Sequence, residues 1–399
     1  MCNPVEYLNG KKILIWGFGR EGKSTKNFLD TFCPDAKYDV YEGDREGVKE
    51  EEYDYIFVSP GVPFEEADPK FTSQTQVFLE AFGNRTIGIT GTKGKSTTSS
   101  LLYAALKAAS GRKVCLVGNI QLPCLDYYGE MMNDEQELAV FELSCHQCQR
   151  LTVAPHIAVF LNLFEDHLDR YHTVEKYFEA KKGITRNQKA DDVFYVGAEV
   201  PDFAVNTRRI VIDDKAIDEH FDLMIPGEHN QYNAEFVKRI ACGEYGCDEG
   251  KVREAMKSFS GLPHRLEYVG EFNGIRFYDD SISTIPEATI SAVSSIANVR
   301  TVLVGGMDRG IDYDILIDFI PQHTDINFIC SYESGRRVYD AVGNSGNIFY
   351  KEDLDAAVAL AKQITPEGGS CVLSPAAASY GYFKNFEERG DYFKGLVRN

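Results

Sequence analysis

The chain has 399 residues, of which 43% are hydrophobic and 12% aromatic, a composition that suits two or three packed domains and excludes a disordered chain. Its 42 Lys and Arg stand against 61 Asp and Glu, a formal net charge of −19 at pH 7. Such a surface repels nucleic acid and anionic membrane, so neither is an expected partner, and an anionic substrate must be gripped by local cations and helix ends.

Met1 to Asn9 carry no basic stretch followed by an apolar run, and no later stretch reaches the roughly 18 apolar residues of a membrane span; a cytoplasmic chain without membrane insertion is expected. Apolar runs that read as strands alternate with helical patterns, the signature of parallel α/β sheets. The first strand, Lys11 to Trp16, breaks into Gly17-Phe18-Gly19-Arg20-Glu21-Gly22 and a helix through Leu29. Tyr38 to Tyr41 and Tyr55 to Val58 are further strands, the second ending in the turn Ser59-Pro60-Gly61. Glu42 follows Gly22 by twenty residues, so the spacing meets the dinucleotide fingerprint. It predicts a diphosphate at the helix start near Gly22 and does not distinguish NAD from a nucleotide sugar.

A second block opens with the strand Thr86 to Thr90 and the turn Gly91-Thr92-Lys93-Gly94-Lys95-Ser96-Thr97. Gly91 and Gly94 let backbone N–H groups turn inward on phosphate oxygens, Lys95 adds a mobile positive charge, and the Ser96 hydroxyl can ligate Mg²⁺ at a helix N-terminus. Gly91 precedes Gly94 by only two intervening residues, fewer than the usual P-loop has. Val114 to Val117, Leu138 to Leu143 and Ile157 to Leu163 read as buried strands, and the block runs to the breaker Gly261-Leu262-Pro263. Ligands gather at the carboxyl ends of strands in open α/β sheets, which draws Glu142, Ser144, Asn162, Asp166, His167 and Asp169 toward Ser96. Carboxylate, hydroxyl and imidazole donors suit Mg²⁺ or Mn²⁺ bridging phosphates, whereas a thiol-rich set would suit zinc. The plainer alternatives are that Glu142 is a helix N-cap or a surface acid and that His167 is buried and satisfied by a carboxylate. Composition alone makes Lys181 and Lys182 solvated and Asn230 a helix cap. Cys145 and Cys148 form a C-x-x-C without a second pair, and Cys115, Cys330 and Cys371 sit in apolar segments, so the thiols read as small hydrophobes.

A third block carries predicted strands at Ile275 to Tyr278, Thr301 to Val304, Ile326 to Cys330 and Cys371 to Leu373. The expected boundaries are 1–84, 85–262 and 263–399, with short hinges near Asn84 and Pro263.

Taken together, Gly91 to Thr97, Glu142-Leu143-Ser144, Asp166-His167-Leu168-Asp169, Ala180-Lys181, His229-Asn230-Gln231-Tyr232-Asn233 and Gly261-Leu262-Pro263-His264-Arg265 resemble the Mur ligase superfamily, ATP-dependent amide-forming enzymes of peptidoglycan precursor synthesis. Leu373-Ser374-Pro375-Ala376-Ala377-Ala378-Ser379 and Phe383-Lys384-Asn385-Phe386-Glu387-Glu388-Arg389-Gly390 are most similar to its D-glutamate-adding branch. The resemblance implies a three-domain α/β architecture: a Rossmann-like UDP-sugar domain over 1–84, a central P-loop ATPase-type parallel sheet over 85–262, and a Rossmann-like amino-acid domain over 263–399. It also implies a monomer that adds D-glutamate to UDP-N-acetylmuramoyl-L-alanine through an acyl phosphate.

On that resemblance Gly19, Arg20, Glu21, Gly22, Glu42, Ser59, Pro60, Gly61, Asn119 and Ser144 contact the UDP-sugar, while Arg309, Ser379 and Phe386 hold D-glutamate. ATP is held by Gly91, Thr92, Lys93, Gly94, Lys95, Ser96 and Thr97 together with Asn230, Asn233, His264, Arg265 and Asp280. Ser96, Glu142, His167 and a carbamylated Lys181 make two Mg²⁺ sites, with Mn²⁺ as the substitute ion. Lys95, Glu142, His167, Lys181 and Arg265 are the implied catalytic groups. Ile282 stands where the D-glutamate-adding branch commonly has lysine, and Arg309 replaces another lysine, so acceptor binding is where this chain departs from the pattern. The competing readings are a Mur-type or polyglutamate-type ligase with a different acceptor, a nicotinamide oxidoreductase, and a nucleotide-binding scaffold without catalysis.

Overall fold

The computed structural model describes residues 3–64, 68–119, 122–217, 219–225, 227–343 and 345–399. Among them the strands form three sheets. The first joins β1 (Lys12–Trp16), β2 (Lys37–Tyr41), β3 (Tyr55–Val58) and β4 (Phe71–Thr72) in the order β2-β1-β3-β4. The second joins β5 (Thr86–Thr90), β6 (Val114–Gly118), β7 (Leu138–Glu142), β8 (Ile157–Phe160), β9 (Val193–Gly197) and β10 (Arg208–Ile212) in the order β10-β9-β8-β5-β7-β6. The third joins β11 (Glu267–Phe272), β12 (Ile275–Asp279), β13 (Val299–Val304), β14 (Asn327–Ser331), β15 (Ile348–Lys351) and β16 (Ser370–Leu373) in the order β11-β12-β16-β13-β14-β15. Every pairing is parallel except that of the edge strand β11 with β12.

Strands β5, β7 and β8 are buried at every residue, which is why they read as unbroken apolar runs rather than alternating ones. In β13, Val302 and Val304 join one hydrophobic cluster and Leu303 another, so the third sheet is covered on both faces. The strands that sequence did not predict are mostly edges or short pieces: β4 is a buried two-residue strand, and β10, β11 and β15 have half-exposed residues with a mixed pattern. β9 is the exception, since Val193-Phe194-Tyr195-Val196 is a fully buried apolar run.

The chain forms two compact units, residues 1–221 with 231–256, and residues 222–230 with 257–399. In the first unit, the first two sheets share one hydrophobic cluster that includes Ile13, Ile15 and Phe28 together with Phe82, Val117, Phe141 and Phe160. Edge-to-face contacts of Phe28 with Tyr128 at 4.8 Å and a Ser24 Oγ bond to Asp126 at 2.7 Å tie the two sheets. The segment near Asn84, expected to hinge, is braced instead. Gly83 accepts the His156 N–H at 2.7 Å, and Arg85 donates to the carbonyls of Asp134 and Met131.

No helix among the described residues is long and apolar enough to cross a membrane. The described cysteines are free and all but one are buried, and burial pushes the Cys148 thiol up to about 12, which agrees with their reading as small hydrophobes.

Candidate active site

β5 lies between β7 and β8, so the turn after β5 is flanked by two neighbouring strand ends, Glu142 closing β7 and Asn162 just beyond β8. Gly91 at φ 153° and Gly94 at φ 80° adopt backbone that L side chains rarely take. A Cβ on Gly94 would also meet Asn233 Oδ1 at 2.7 Å, so Asn233, expected near the nucleotide, lies against the turn. Asn162 fixes the turn: its carbonyl accepts the Thr92 N–H (3.0 Å), its Oδ1 accepts the Lys93 N–H (2.9 Å), and its Nδ2 donates to the Lys93 carbonyl (3.0 Å). Ser96 and Thr97 occupy the first turn of the helix Lys95–Ala109, where unpaired N–H groups and the helix dipole favour an anion. Lys95 folds back to donate to the carbonyls of Gly91 (3.0 Å) and Thr92 (2.8 Å).

Glu142 is only 1% exposed and caps no helix, so both plainer readings of it fail. Asn119 Nδ2 donates to its Oε1 at 3.1 Å, while its Oε2 is buried without a hydrogen-bond partner. A buried polar atom left unsatisfied costs about 1–3 kcal/mol, more when charged, and a divalent cation is the partner that a carboxylate at a phosphate-binding turn would accept. The cap is Ser144, whose Oγ accepts the Gln147 N–H (3.3 Å) while its own N–H donates to Gln147 Oε1 (2.9 Å).

Lys181 departs from the expectation of a solvated lysine. The helix Val174–Lys182 buries the face made by Tyr177, Ala180 and Lys181, and Lys181 Nζ donates to the Gly91 carbonyl at 2.7 Å, with the Tyr177 ring centroid 4.6 Å away. Two lysines thus converge on one carbonyl. Burial, assisted by the charge on Lys95, pulls the Lys181 pKa down to about 8. More of it is then a neutral amine at pH 7 than of a solvated lysine. Lys182 stays partly exposed and pairs with Glu179 at 2.7 Å.

His167 is not a buried histidine: its side chain is 45% exposed, and its backbone at φ 54° opens the short helix Leu168–Tyr171. Its ring centroid stands 5.4 Å from that of His146 and 5.8 Å from that of Tyr177. The side chain of Asp169 lies outside the described residues. Lys95, Asn119, Ser144, His146, His167, Arg170, Tyr177 and Lys181 line one cavity of about 320 Å³. Glu142, hydrogen-bonded to Asn119, stands behind this wall.

A larger cavity, about 910 Å³, opens at the carboxyl ends of the first sheet and is lined by Gly19, Arg20, Glu21, Glu42, Ser59, Pro60, Gly61 and Asn119 among others. Gly22, expected with them, is not part of this lining. A Cβ there would fall 2.2 Å from the Gly17 carbonyl oxygen, so Gly22 lets the helix pack against the turn, and that helix begins at Arg20 rather than near Gly22. Pro60, Gly61 and Asn119 line both cavities. Arg170 holds this shared lip by donating to the carbonyls of Pro60 (3.3 Å) and Val62 (3.1 Å).

Glu21 accepts from Gln147 Nε2 at 2.8 Å, and burial pushes its carboxyl pKa above the ordinary 4.5 even though Gln74, Gln147 and Arg20 pull it down. The folded state therefore binds this proton more tightly than the unfolded chain does. The stabilisation is complete at low pH and is lost as pH rises through the folded value. Glu21→Gln is accordingly expected to raise the unfolding temperature at neutral pH, with the gain vanishing as pH falls below about 4.5. Melting curves of both proteins across that range check it, and a pH-independent difference would refute it.

In the second unit the ends of β12, β16 and β13 are neighbours. Asp280, just after β12, is buried and accepts from Ser283 Oγ (2.6 Å), Ser374 Oγ (2.7 Å) and the Leu266 N–H (3.2 Å). Burial nonetheless raises its carboxyl to about 6. His264 is buried with Nδ1 2.8 Å from Asp279 Oδ2 and lies edge-on to Phe386. Arg265 is exposed, Ser379 is buried, and Arg309 reaches the Thr284 carbonyl at 3.4 Å. The half-buried Ile282 donates its N–H to the His264 carbonyl at 3.1 Å. Asn230 is buried within the helix Glu228–Gly243 and is not its cap.

Four residues here escaped sequence reasoning. Tyr177 precedes Lys181 by one helical turn, a spacing that could have found it. His146 and Arg170 sit on one-turn helices with no periodicity to read. Arg389, fully buried, donates from Nε to Ser281 Oγ (2.9 Å) and from Nη2 to the carbonyls of Ser281 (2.7 Å) and Ala377 (3.0 Å). Ser281 Oγ in turn donates to the Phe386 carbonyl at 2.8 Å, so one guanidinium ties together the segments that carry Ile282, Ser379 and Phe386.

The family model for the Mur ligase middle domain matches residues 89–210. The chain is 32% identical to the UDP-N-acetylmuramoylalanine–D-glutamate ligase of Aquifex aeolicus, over 97% of this chain and 98% of that protein. It is 31% identical to the UDP-N-acetylmuramoyl-L-alanine–L-glutamate ligase of Salinispora tropica, over 98% of each. Its fold is similar to that of the MurF ligase of Thermotoga maritima in complex with ADP, with a TM-score of 0.58 at 16% identity, covering 100% of this chain and 97% of that one.

Proposed function

The chain belongs to the Mur ligase family, and from that premise we propose that it is an ATP-dependent ligase that adds D-glutamate to UDP-N-acetylmuramoyl-L-alanine. The observation that carries this reading is the lip of Pro60, Gly61 and Asn119 shared by the two cavities. It suits a long donor whose diphosphate rests at the helix start by Arg20 and whose terminal carboxylate reaches the lysine-rich turn. A nicotinamide enzyme would leave the second cavity and its two lysines without a task. Under this reading the protein acts in the cytoplasm as a monomer.

In the proposed reaction the alanyl carboxylate attacks the γ-phosphorus of ATP, an acyl–phosphate bond forms, and ADP leaves. The amine of D-glutamate then attacks the acyl carbon, and inorganic phosphate departs through a tetrahedral intermediate as the amine sheds its proton. Two unit charges 4 Å apart repel by about 4 kcal/mol at an effective dielectric near 20, so the first step depends on charge neutralisation. Lys95 and the N–H groups from Gly91 to Thr97 meet the phosphates. Ser96, Glu142 and His167 would hold Mg²⁺, or Mn²⁺ in its place, together with Lys181 once its neutral amine has added to CO₂ and released a proton to solvent to become a carbamate anion. Cations there would neutralise the phosphate oxygens. Asn230, Asn233, His264, Arg265 and Asp280 are assigned to the nucleotide, and Arg309, Ser379 and Phe386 to the acceptor. Phosphate release is expected only when ATP, the UDP-sugar and D-glutamate are all present. Faster turnover with L-glutamate would reassign the acceptor, and turnover without the UDP-sugar would remove the reading.

A further inference from the structure

We propose that His146 is a second imidazole ligand of the cation site at His167, so that this site takes Mn²⁺, Co²⁺ or Zn²⁺ more tightly than Mg²⁺. The inference rests on the reading of Glu142, His167 and Lys181 as cation ligands and extends it to a residue that the sequence did not single out. The cap at Ser144 starts the helix Cys145–Cys148 and places His146 on the wall of the same cavity as His167 and Lys181. Its ring stacks on Tyr171, 5.7 Å between centroids at 17°, and Tyr171 is only 2% exposed, so the imidazole rests on a fixed surface.

The separation of the two imidazole rings, which falls in the ordinary edge-to-face range, is also one that a shared ion would give. A metal–nitrogen bond of about 2.1 Å, with the ring centre about 1.1 Å behind the nitrogen, puts two imidazoles on one tetrahedral ion roughly 5.2 Å apart. The centroids of His146 and His167 are 5.4 Å apart, with the rings inclined at 74°. Imidazole is a borderline ligand that favours later first-row ions, whereas Mg²⁺ prefers oxygen and keeps its water. Asn119, on the wall of the same cavity, donates to Glu142 Oε1, and the other oxygen of that carboxylate is buried without a hydrogen-bond partner. Elsewhere among the described residues, His264, Glu267 and Asp279 bring ligand atoms within 4.8 Å of one another, with Lys394 3.0 Å from Glu267 and 3.8 Å from Asp279.

The test is a titration of the metal-free full-length protein with Co²⁺, read by its visible absorption, and with Mn²⁺, read by electron paramagnetic resonance. His146→Phe is expected to weaken both by about tenfold or more and to reduce the cobalt absorption, with little change in Mg²⁺ competition. His146→Gln, which keeps the polarity and approximate size, runs alongside in case the phenylalanine disturbs folding, and should show the same loss. If both variants keep the parent affinity and spectrum while His167→Ala loses them, His146 is no ligand and the cation site stands without it. If His167→Ala also matches the parent, the reading of the site itself falls.

Discussion

Lys95→Ala is expected to slow ADP formation by about 10³-fold, which corresponds to roughly 4 kcal/mol of lost transition-state stabilisation. Lys95 begins the helix Lys95–Ala109 and holds its ammonium against the carbonyls of Gly91 and Thr92, inside the turn that the glycines shape. Alanine is an excellent helix residue, so the backbone of the turn should survive, still fixed by Asn162. The loss is then electrostatic, and it is twofold. The positive charge that meets the phosphates disappears, and so does the charge that helps hold the Lys181 pKa near 8. Burial, the larger cause, still depresses Lys181, but less of it is the neutral amine that takes up CO₂. Steady-state ADP release at saturating substrates, with melting curves to show an intact fold, checks this. A variant within threefold of the parent would take Lys95 out of the chemistry.

What could be read in the sequence follows the range of the interactions. The phosphate turn was legible because its chemistry is local: glycines at two positive-φ positions, a lysine and a hydroxyl before a helix. Glu142 and Asn162 were legible one step further out, since parallel strands deliver their ends to a common edge. The family resemblance named Lys181, but composition put it in water. Its burial depends on Tyr177 and the Gly91 carbonyl, which come together only in the folded chain. The lip shared by the two cavities was out of reach for the same reason, because it requires the first sheet to dock on the second through Phe28, Tyr128 and their neighbours. Gly22 has a packing role that the fingerprint spacing did not separate from a ligand role, since its lack of a side chain serves the contact with the Gly17 carbonyl.

Glu142→Gln should separate the cation from every other role of this residue. The amide is close in size and its Oε1 can still accept from Asn119 Nδ2, so the end of β7 keeps its shape. The anionic Oε2, buried and unpartnered in the parent, is replaced by a neutral group that binds a divalent cation poorly. Turnover is expected to fall by about 10²–10³-fold, the scale of removing one preorganised charge from such a site. Stability supplies the second readout. A ligand that binds only the folded state raises its stability by RT ln(1 + [L]/Kd), so Mg²⁺ at about a hundredfold over its dissociation constant should stabilise the parent by about 2.7 kcal/mol. The variant should show little of that shift at the same concentration. An equal rise in melting temperature in both proteins would mean that the ion binds elsewhere. Turnover near the parent level would mean that this carboxylate only fills space beneath the phosphate turn.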